Sequence, residues 1–240
     1  MRSGNVSAIS VPATGAAGAT IVVSDTTANQ GGGGSPASVT RFYLSANSTL
    51  DAGDVRLDGS RAVPGLPAGA SSAGSTSVTI PASTAAGTHY IIAKADDDAA
   101  IGETDETNNT RARNVSIGPD LTISTISVSA PSVAAGAGII ITDTTMNLGA
   151  GAAGPSATRF YLSTNAAIDA GDLLLAAGRA VPGIGGGGSS SGSTAVTIPA
   201  GTAAGRYYLI AKADGDGTVD ESVESNNASP VRTIQVTSPL

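Results

Sequence analysis

Cysteine is absent from the 240-residue chain, and so is tryptophan. Without a thiol there is no cysteine nucleophile, no disulfide staple and no Cys-ligated zinc. The absence also suits bacterial surface proteins, which commonly avoid cysteine. His89 is the only histidine, so neither a His-based triad nor a His-based metal site can be assembled. Aromatic residues make up 3% of the chain, and any core must be built from Ile, Val, Leu and Ala. Lys and Arg number 12 against 19 Asp and Glu, a formal net charge of −7. With no basic cluster, the chain is a poor candidate for binding nucleic acid or an anionic membrane surface, because both need cations to neutralise phosphate. Acidic loops would draw divalent cations instead. No window of 18 apolar residues exists, which excludes a membrane-spanning helix. The opening Met1-Arg2-Ser3-Gly4-Asn5 lacks the apolar stretch of a signal peptide. If the protein is exported, the chain is expected to be a processed form or a piece of a longer one.

What the sequence does contain is itself, twice. Asp25, Arg41, Asp54, Arg61 and Asn109 recur as Asp143, Arg159, Asp172, Arg179 and Asn227, always 118 residues later. A fixed offset held over that length marks two copies of one complete domain, here 1–118 and 119–240. Alternation of apolar and polar residues dominates both copies, and helical periodicity is absent. The first copy predicts strands at 5–11, 19–29, 38–45, 54–60, 75–81, 88–96 and 110–117, with counterparts close to 118 further on. Gly, Pro, Asp and Asn clusters separate them as turns, and the Ala-rich 131–138 is read as a turn as well. Seven short strands per copy predict an all-β fold of two tandem immunoglobulin-like seven-stranded β-sandwiches. Pro119 lies between the copies and predicts a stiff, extended joint. The closing Ser238-Pro239-Leu240 echoes Gly118-Pro119-Asp120-Leu121, as though another repeat of a longer array began there.

The motifs follow a distinctive order. Pro119-Asp120-Leu121-Thr122-Ile123 opens the second copy, where the first has Met1-Arg2-Ser3. A Thr-x-Asn-x-Gly turn follows at Thr27 and Thr145, then Arg-Phe-Tyr-Leu-Ser at Arg41 and Arg159, and Ile-Pro-Ala at Ile80 and Ile198. A Gly-x-x-Tyr strand ending in Ala-Lys-Ala-Asp begins at Gly87 and Gly205, and Glu-x-x-Glu-x-Asn-Asn closes each copy from Glu103 and Glu221. In this order the chain resembles the CARDB family, the cell-adhesion-related domain found in bacteria. The resemblance covers nearly the whole chain twice and implies sandwiches of the immunoglobulin type on secreted or surface proteins. It implies no single ligand or activity.

Two groups of residues are candidates for chemistry. The acidic loop after the sixth strand holds Asp214, Asp216, Asp220, Glu221 and Glu224 in the second copy, and Asp96, Asp98 and Glu103 in the first. Calcium takes six to eight oxygen ligands on a flexible loop, so these carboxylates are candidate metal ligands. Their spacing is not that of an EF-hand, and a solvated hairpin with charges that oppose edge aggregation is the alternative. Asp51 with Asp54, and Asp169 with Asp172, are explained by turn hydrogen bonding, with a share in a cation site as the alternative. Strand alternation turns Arg41, Tyr43 and Tyr90 outward, and likewise Arg159, Tyr161 and Tyr208. These six form a candidate interaction face, with Arg packing over Tyr as its structural alternative. Asn108-Asn109 and Asn226-Asn227 are expected to fold back on their loops. His89 and its counterpart Tyr207 are expected to bond backbone upstream.

No acid, base and nucleophile set stands out, so the chain is expected not to be an enzyme. The leading expectation is an extracellular or cell-surface bacterial repeat protein acting as stalk, adhesion or assembly module, with calcium as the one cofactor in view. Its expected partners are similar repeats or copies of itself. A binding module for a surface protein or carbohydrate, and a filament subunit joined by strand pairing, are the rivals.

Overall fold

A computed structural model of the chain describes residues 4–103 and 105–239. The chain divides into two units, 1–117 and 118–240. In the first, β1 (Gly4–Ser10), β3 (Thr20–Asn29) and β6 (Ser71–Thr79) form a three-stranded sheet in the order β1-β3-β6. Against it lies a five-stranded sheet, β2-β8-β7-β4-β5, built from β2 (Thr14–Gly15), β4 (Ser38–Ser45), β5 (Val55–Val63), β7 (Gly87–Lys94) and β8 (Thr110–Ile117). The second unit repeats the plan with β9 (Leu121–Val128), β11 (Gly138–Asn147) and β15 (Ser189–Thr197) as its small sheet. Its large sheet holds β10 (Ser132–Ala134), β12 (Ser156–Ser163), β13 (Leu173–Leu174), β14 (Arg179–Val181), β16 (Gly205–Lys212) and β17 (Arg232–Thr237).

The seven expected strands of the first copy are all present, 38–45 and 110–117 with the expected ends and the other five with shifted ones, and the Ala-rich 131–138 contains the short strand β10 rather than turn alone. β10 pairs in parallel with β17, as β2 does with β8. The first strand forms although its copy lacks the Pro-Asp-Leu opening. Val6 stands opposite Thr27 as Ile123 stands opposite Thr145, one residue short of the 118 offset. The fifth strand starts at Ser71 rather than 75. Its first half has no apolar residue facing inward, so alternation does not reveal it.

Each core fills the space between its two sheets. Val23, Phe42, Ile80, Ile91 and Ile117 are fully buried in the first, and Leu121, Ile141, Phe160, Ile198, Leu209 and Val236 in the second. The central strand of each small sheet departs from a simple apolar face. Along β3 the inward positions are Ile21, Val23, Asp25, Thr27 and Asn29, and along β11 they are Ile139, Ile141, Asp143, Thr145 and Asn147. Three of the five positions on each strand are polar, and a buried polar group is costly unless bonded.

The large sheet supplies the partner. Arg61 on β5 donates through Nε to Asp25 Oδ1 at 2.8 Å, and through Nη2 to Asp25 Oδ2 and Thr27 Oγ1. Arg179 on β14 does the same to Asp143, at 2.9 Å from Nε to Oδ1 and 2.6 Å from Nη2 to Oδ2, and also reaches Thr145 Oγ1. Each guanidinium goes on to a serine on the facing edge strand, Ser72 or Ser190. The arginine stem crosses Gly74 in the first domain and Gly192 in the second. A Cβ at either glycine would stand 2.6 Å from the arginine Cδ, so only glycine lets the stem pass. Asn29 and Asn147 complete the polar end of the face. The Asn147 amide donates to Gly151 O and Ile184 O and accepts from the Gly149 and Asp120 N–H groups.

Candidate functional site

The acidic loop leaves β7 at Asp96 and β16 at Asp214, and both aspartates are buried. Both adopt left-handed backbone, with φ of 48° and 40°, a conformation aspartate tolerates when its carboxylate bonds locally. Asp96 accepts from the N–H groups of Ala100 and Ile101 at 3.1 and 3.0 Å. Asp214 accepts from Thr218 N, Thr218 Oγ1 and Val219 N at 3.1, 2.9 and 2.9 Å. These two carboxylates organise their own loops.

The next acids turn back onto the large sheet. Asp97 accepts the Tyr43 hydroxyl at 2.7 Å and pairs with Lys94 Nζ at 3.2 Å, with Arg41 Nε at 3.4 Å. Burial and the Asp97 hydrogen bond push the Tyr43 hydroxyl up to about 12. Asp98 reaches Arg41 at 3.6 Å. In the second domain Arg159 grips Asp216 with both Nε and Nη2 at 2.8 Å, which holds the Asp216 carboxyl below the usual range. Tyr43→Phe should cost about 1.5–3 kcal/mol in urea unfolding, the worth of one hydrogen bond to a charged carboxylate.

Glu221 points the other way, into the fold. Its Oε2 accepts the N–H of Leu121, at the start of β9, and its Oε1 accepts Asn227 Nδ2 at 2.8 Å. Glu224 accepts the Glu221 N–H at 2.9 Å, and Asn226 donates to Asp120 Oδ1 at 2.8 Å. The Glu-x-x-Glu-x-Asn-Asn motif is thus a clasp between the closing loop and the opening strand. The first domain repeats it: Glu103 accepts the Gly4 N–H, Glu106 accepts the Glu103 N–H, and Asn109 donates to Glu106. Burial, reinforced by Glu224 and Asp214, pushes the Glu221 carboxyl up to about 7 against the bonds from Leu121 and Asn227. Glu103 is raised in the same way. Asn227 Oδ1 is buried and takes no donor, which leaves an acceptor for a protonated Glu221 once the amide turns over.

Most of the eight carboxylates read as metal ligands therefore have protein partners of their own. Asp96 and Asp214 close turns, Asp98 and Asp216 meet arginines, Glu103 and Glu221 clasp the first strands, Glu224 caps Glu221, and Asp220 is exposed. Among the described residues no three His, Cys, Asp or Glu side chains stand together in a way that holds a metal ion. Thermal unfolding with calcium and with a chelator tests the metal reading directly. A folded-state ligand would raise the melting temperature.

A family model for CARDB matches residues 5–113 and 118–230, one domain each. The chain belongs to the CARDB family. No curated protein matches it. Among solved structures it is similar to the CARDB domain of the PF1109 protein from Pyrococcus furiosus, in complex with di-metal ions, at 22% identity over 50% of this chain and 90% of that one, TM-score 0.37. The solution structure of the same PF1109 domain matches at 21% identity over 50% of this chain and 96% of that one, TM-score 0.36. Red sea bream transglutaminase matches at 13% identity over 99% of this chain but only 31% of its own length, TM-score 0.46.

In each CARDB domain the strand register places three of the six face residues on two neighbouring strands. Arg41 stands opposite Lys94, Tyr43 opposite Ile92 and Ser45 opposite Tyr90; Arg159, Tyr161 and Ser163 stand opposite Lys212, Ile210 and Tyr208. All six are half-buried, with Arg41, Tyr43 and Arg159 held by the loop acids. Arg206 lies over the Tyr208 ring, 5.7 Å from its centre. Ile92 and Ile210 share this outer face yet are buried. His89 Nε2 lies 3.0 Å from Ala85 O, and Tyr207 donates its hydroxyl to Ala203 O at 3.1 Å. The two rings make the same upstream backbone contact. Each borders a shallow groove, of about 380 Å³ beside Leu44 and Pro81 and about 400 Å³ beside Leu162 and Pro199.

The residues that sequence reasoning used only as markers of the repeat, Asp25, Arg61, Asp143 and Arg179, prove to be the most deeply engaged charges. A signal for the acids was present: Asp25 and Asp143 keep the inward phase of Ile21 and Val23, and of Ile139 and Ile141.

Proposed function

We propose that the chain is a non-catalytic structural module of a bacterial cell surface, two CARDB domains in series that serve as stalk, adhesion or assembly element. One observation carries this reading. The charged and amide residues that recur at the 118 offset are used inside their own domains, as inter-sheet ion pairs, turn organisers and strand clasps. What was duplicated is a scaffold. The net charge of −7 and the absence of cysteine are in keeping with an exported protein.

Exchange of the two domains for an unrelated pair of β-sandwiches of similar length tests the reading in the parent protein. If the chain acts as a spacer, surface attachment or reach survives the exchange. If a specific face binds a ligand, it is lost. Antibody labelling of intact cells checks the location, and labelling only after lysis would count against it.

A further inference from the structure

An edge strand displays unpaired N–H and C=O groups and joins any compatible strand unless it is short, charged, bulged or covered. In the large sheets the outer strands are two or three residues long (β2, β10, β13 and β14) or charged, since β5 carries Arg56, Asp58 and Arg61. In the small sheets β1 and β9 are bulged. Their registers slip at Ser7 and Ser124, whose hydroxyls donate to Thr26 O and Thr144 O. β6 is covered by β5. Asp58 accepts the Thr79 N–H at 2.8 Å, and Gly59 passes so close that a Cβ there would stand 2.5 Å from Ser77 O.

β15 has none of these protections. Ala176 and Ala177 replace Asp58 and Gly59, and the covering strand is interrupted between β13 and β14. β15 is nine residues long, without charge or proline, and its register against β11 runs unbroken. Backbone bonds from Asn147 N to Gly188 O and from Gly136 N to Ile198 O fix the phase of that ladder at both ends. Antiparallel alternation then turns the N–H and C=O groups of residues 189, 191, 193, 195 and 197 away from β11. Their side chains are exposed as well.

We propose that β15 pairs antiparallel with β15 of a second copy of this chain, about a twofold axis through Ser193, to make one six-stranded sheet. The strand is complementary to itself. Ser189 would face Thr197, Ser191 would face Ala195, and Ser193 would face its own copy. The same face already pairs hydroxyls, Thr142 with Ser193 at 2.7 Å and Thr144 with Ser191 at 2.8 Å. Two chains of net charge −7 repel where their acids meet, and this edge carries none. The partner named here rests on the structural reading above and gives assembly a place in the fold.

Sedimentation velocity on the full chain tests it, with Ser193→Lys and Ser191→Lys on β15 and Ser75→Lys on β6. All three sites are exposed, and thermal unfolding checks that each variant folds. The parent and Ser75→Lys should dimerise as concentration rises, while both β15 variants stay monomeric. A parent that is monomeric at every soluble concentration overturns the pairing. So does a dimer that survives both β15 substitutions, or one that Ser75→Lys abolishes equally. The domain exchange described above tests the stalk reading separately, and a monomeric stalk would fail only the pairing.

Discussion

Asp143→Ala is expected to destabilise the second domain by about 3–5 kcal/mol, because it leaves the Arg179 guanidinium buried without its counter-charge. Arg179 is 8% exposed and Asp143 fully enclosed. Water cannot take the carboxylate's place without opening the space between the sheets. The serine and threonine contacts that remain, Ser190 and Thr145, are neutral and cannot balance a cation. The equivalent change in the first domain, Asp25→Ala, should act in the same direction through Arg61. Urea unfolding reads both losses, and a loss below about 1 kcal/mol in both would show that the pair is not a fastener.

The second large effect is on pH dependence. Burial holds the Glu221 carboxyl at about 7, against an ordinary value of 4.5. The native state therefore binds this proton more tightly than the unfolded chain does. Stability from this group is full below about 4.5 and is lost as pH rises through 7. The gap corresponds to at most about 3 kcal/mol. Glu103 is shifted in the same direction and adds to the trend from the first domain. In Glu221→Gln the side chain stays neutral at every pH. Its amide can still accept the Leu121 N–H and can donate to Asn227 Oδ1 once that amide turns over. Between pH 5 and 8 the unfolding midpoint of the parent should fall and that of the glutamine variant should fall less. Parallel curves would show that Glu221 titrates alike in both states.

Much of the architecture was legible in the sequence. The 118 offset gave two domains, and the alternation placed the strands and the inward phase of Phe42, Leu44, Ile91 and Ala93. The start of β6 was not legible, because Gly74 faces inward beneath the Arg61 stem, where a pattern search expects an apolar side chain. The strand that opens the first domain was legible at 5–11 despite a different opening sequence, and the clasp from Glu103 to Gly4 matches that from Glu221 to Leu121. The acidic loop shows the limit for sites. The sequence displays how many carboxylates there are but not where each points. That direction is set by the left-handed backbone at Asp96 and Asp214, which aims both carboxylates at the next turn of chain. Likewise the return of Asp97 onto Arg41 and Tyr43 depends on the loop's path, which spacing does not encode.

The repeated polar residues face one another rather than a ligand. A double-mutant cycle on Asp143 and Arg179 tests this most directly, with Asp143→Leu, Arg179→Met and the pair together compared by urea unfolding. Each single variant should lose about 3–5 kcal/mol, and the double variant should return to within about 1 kcal/mol of the parent. Losses that simply add would mean that each residue answers to something other than its partner.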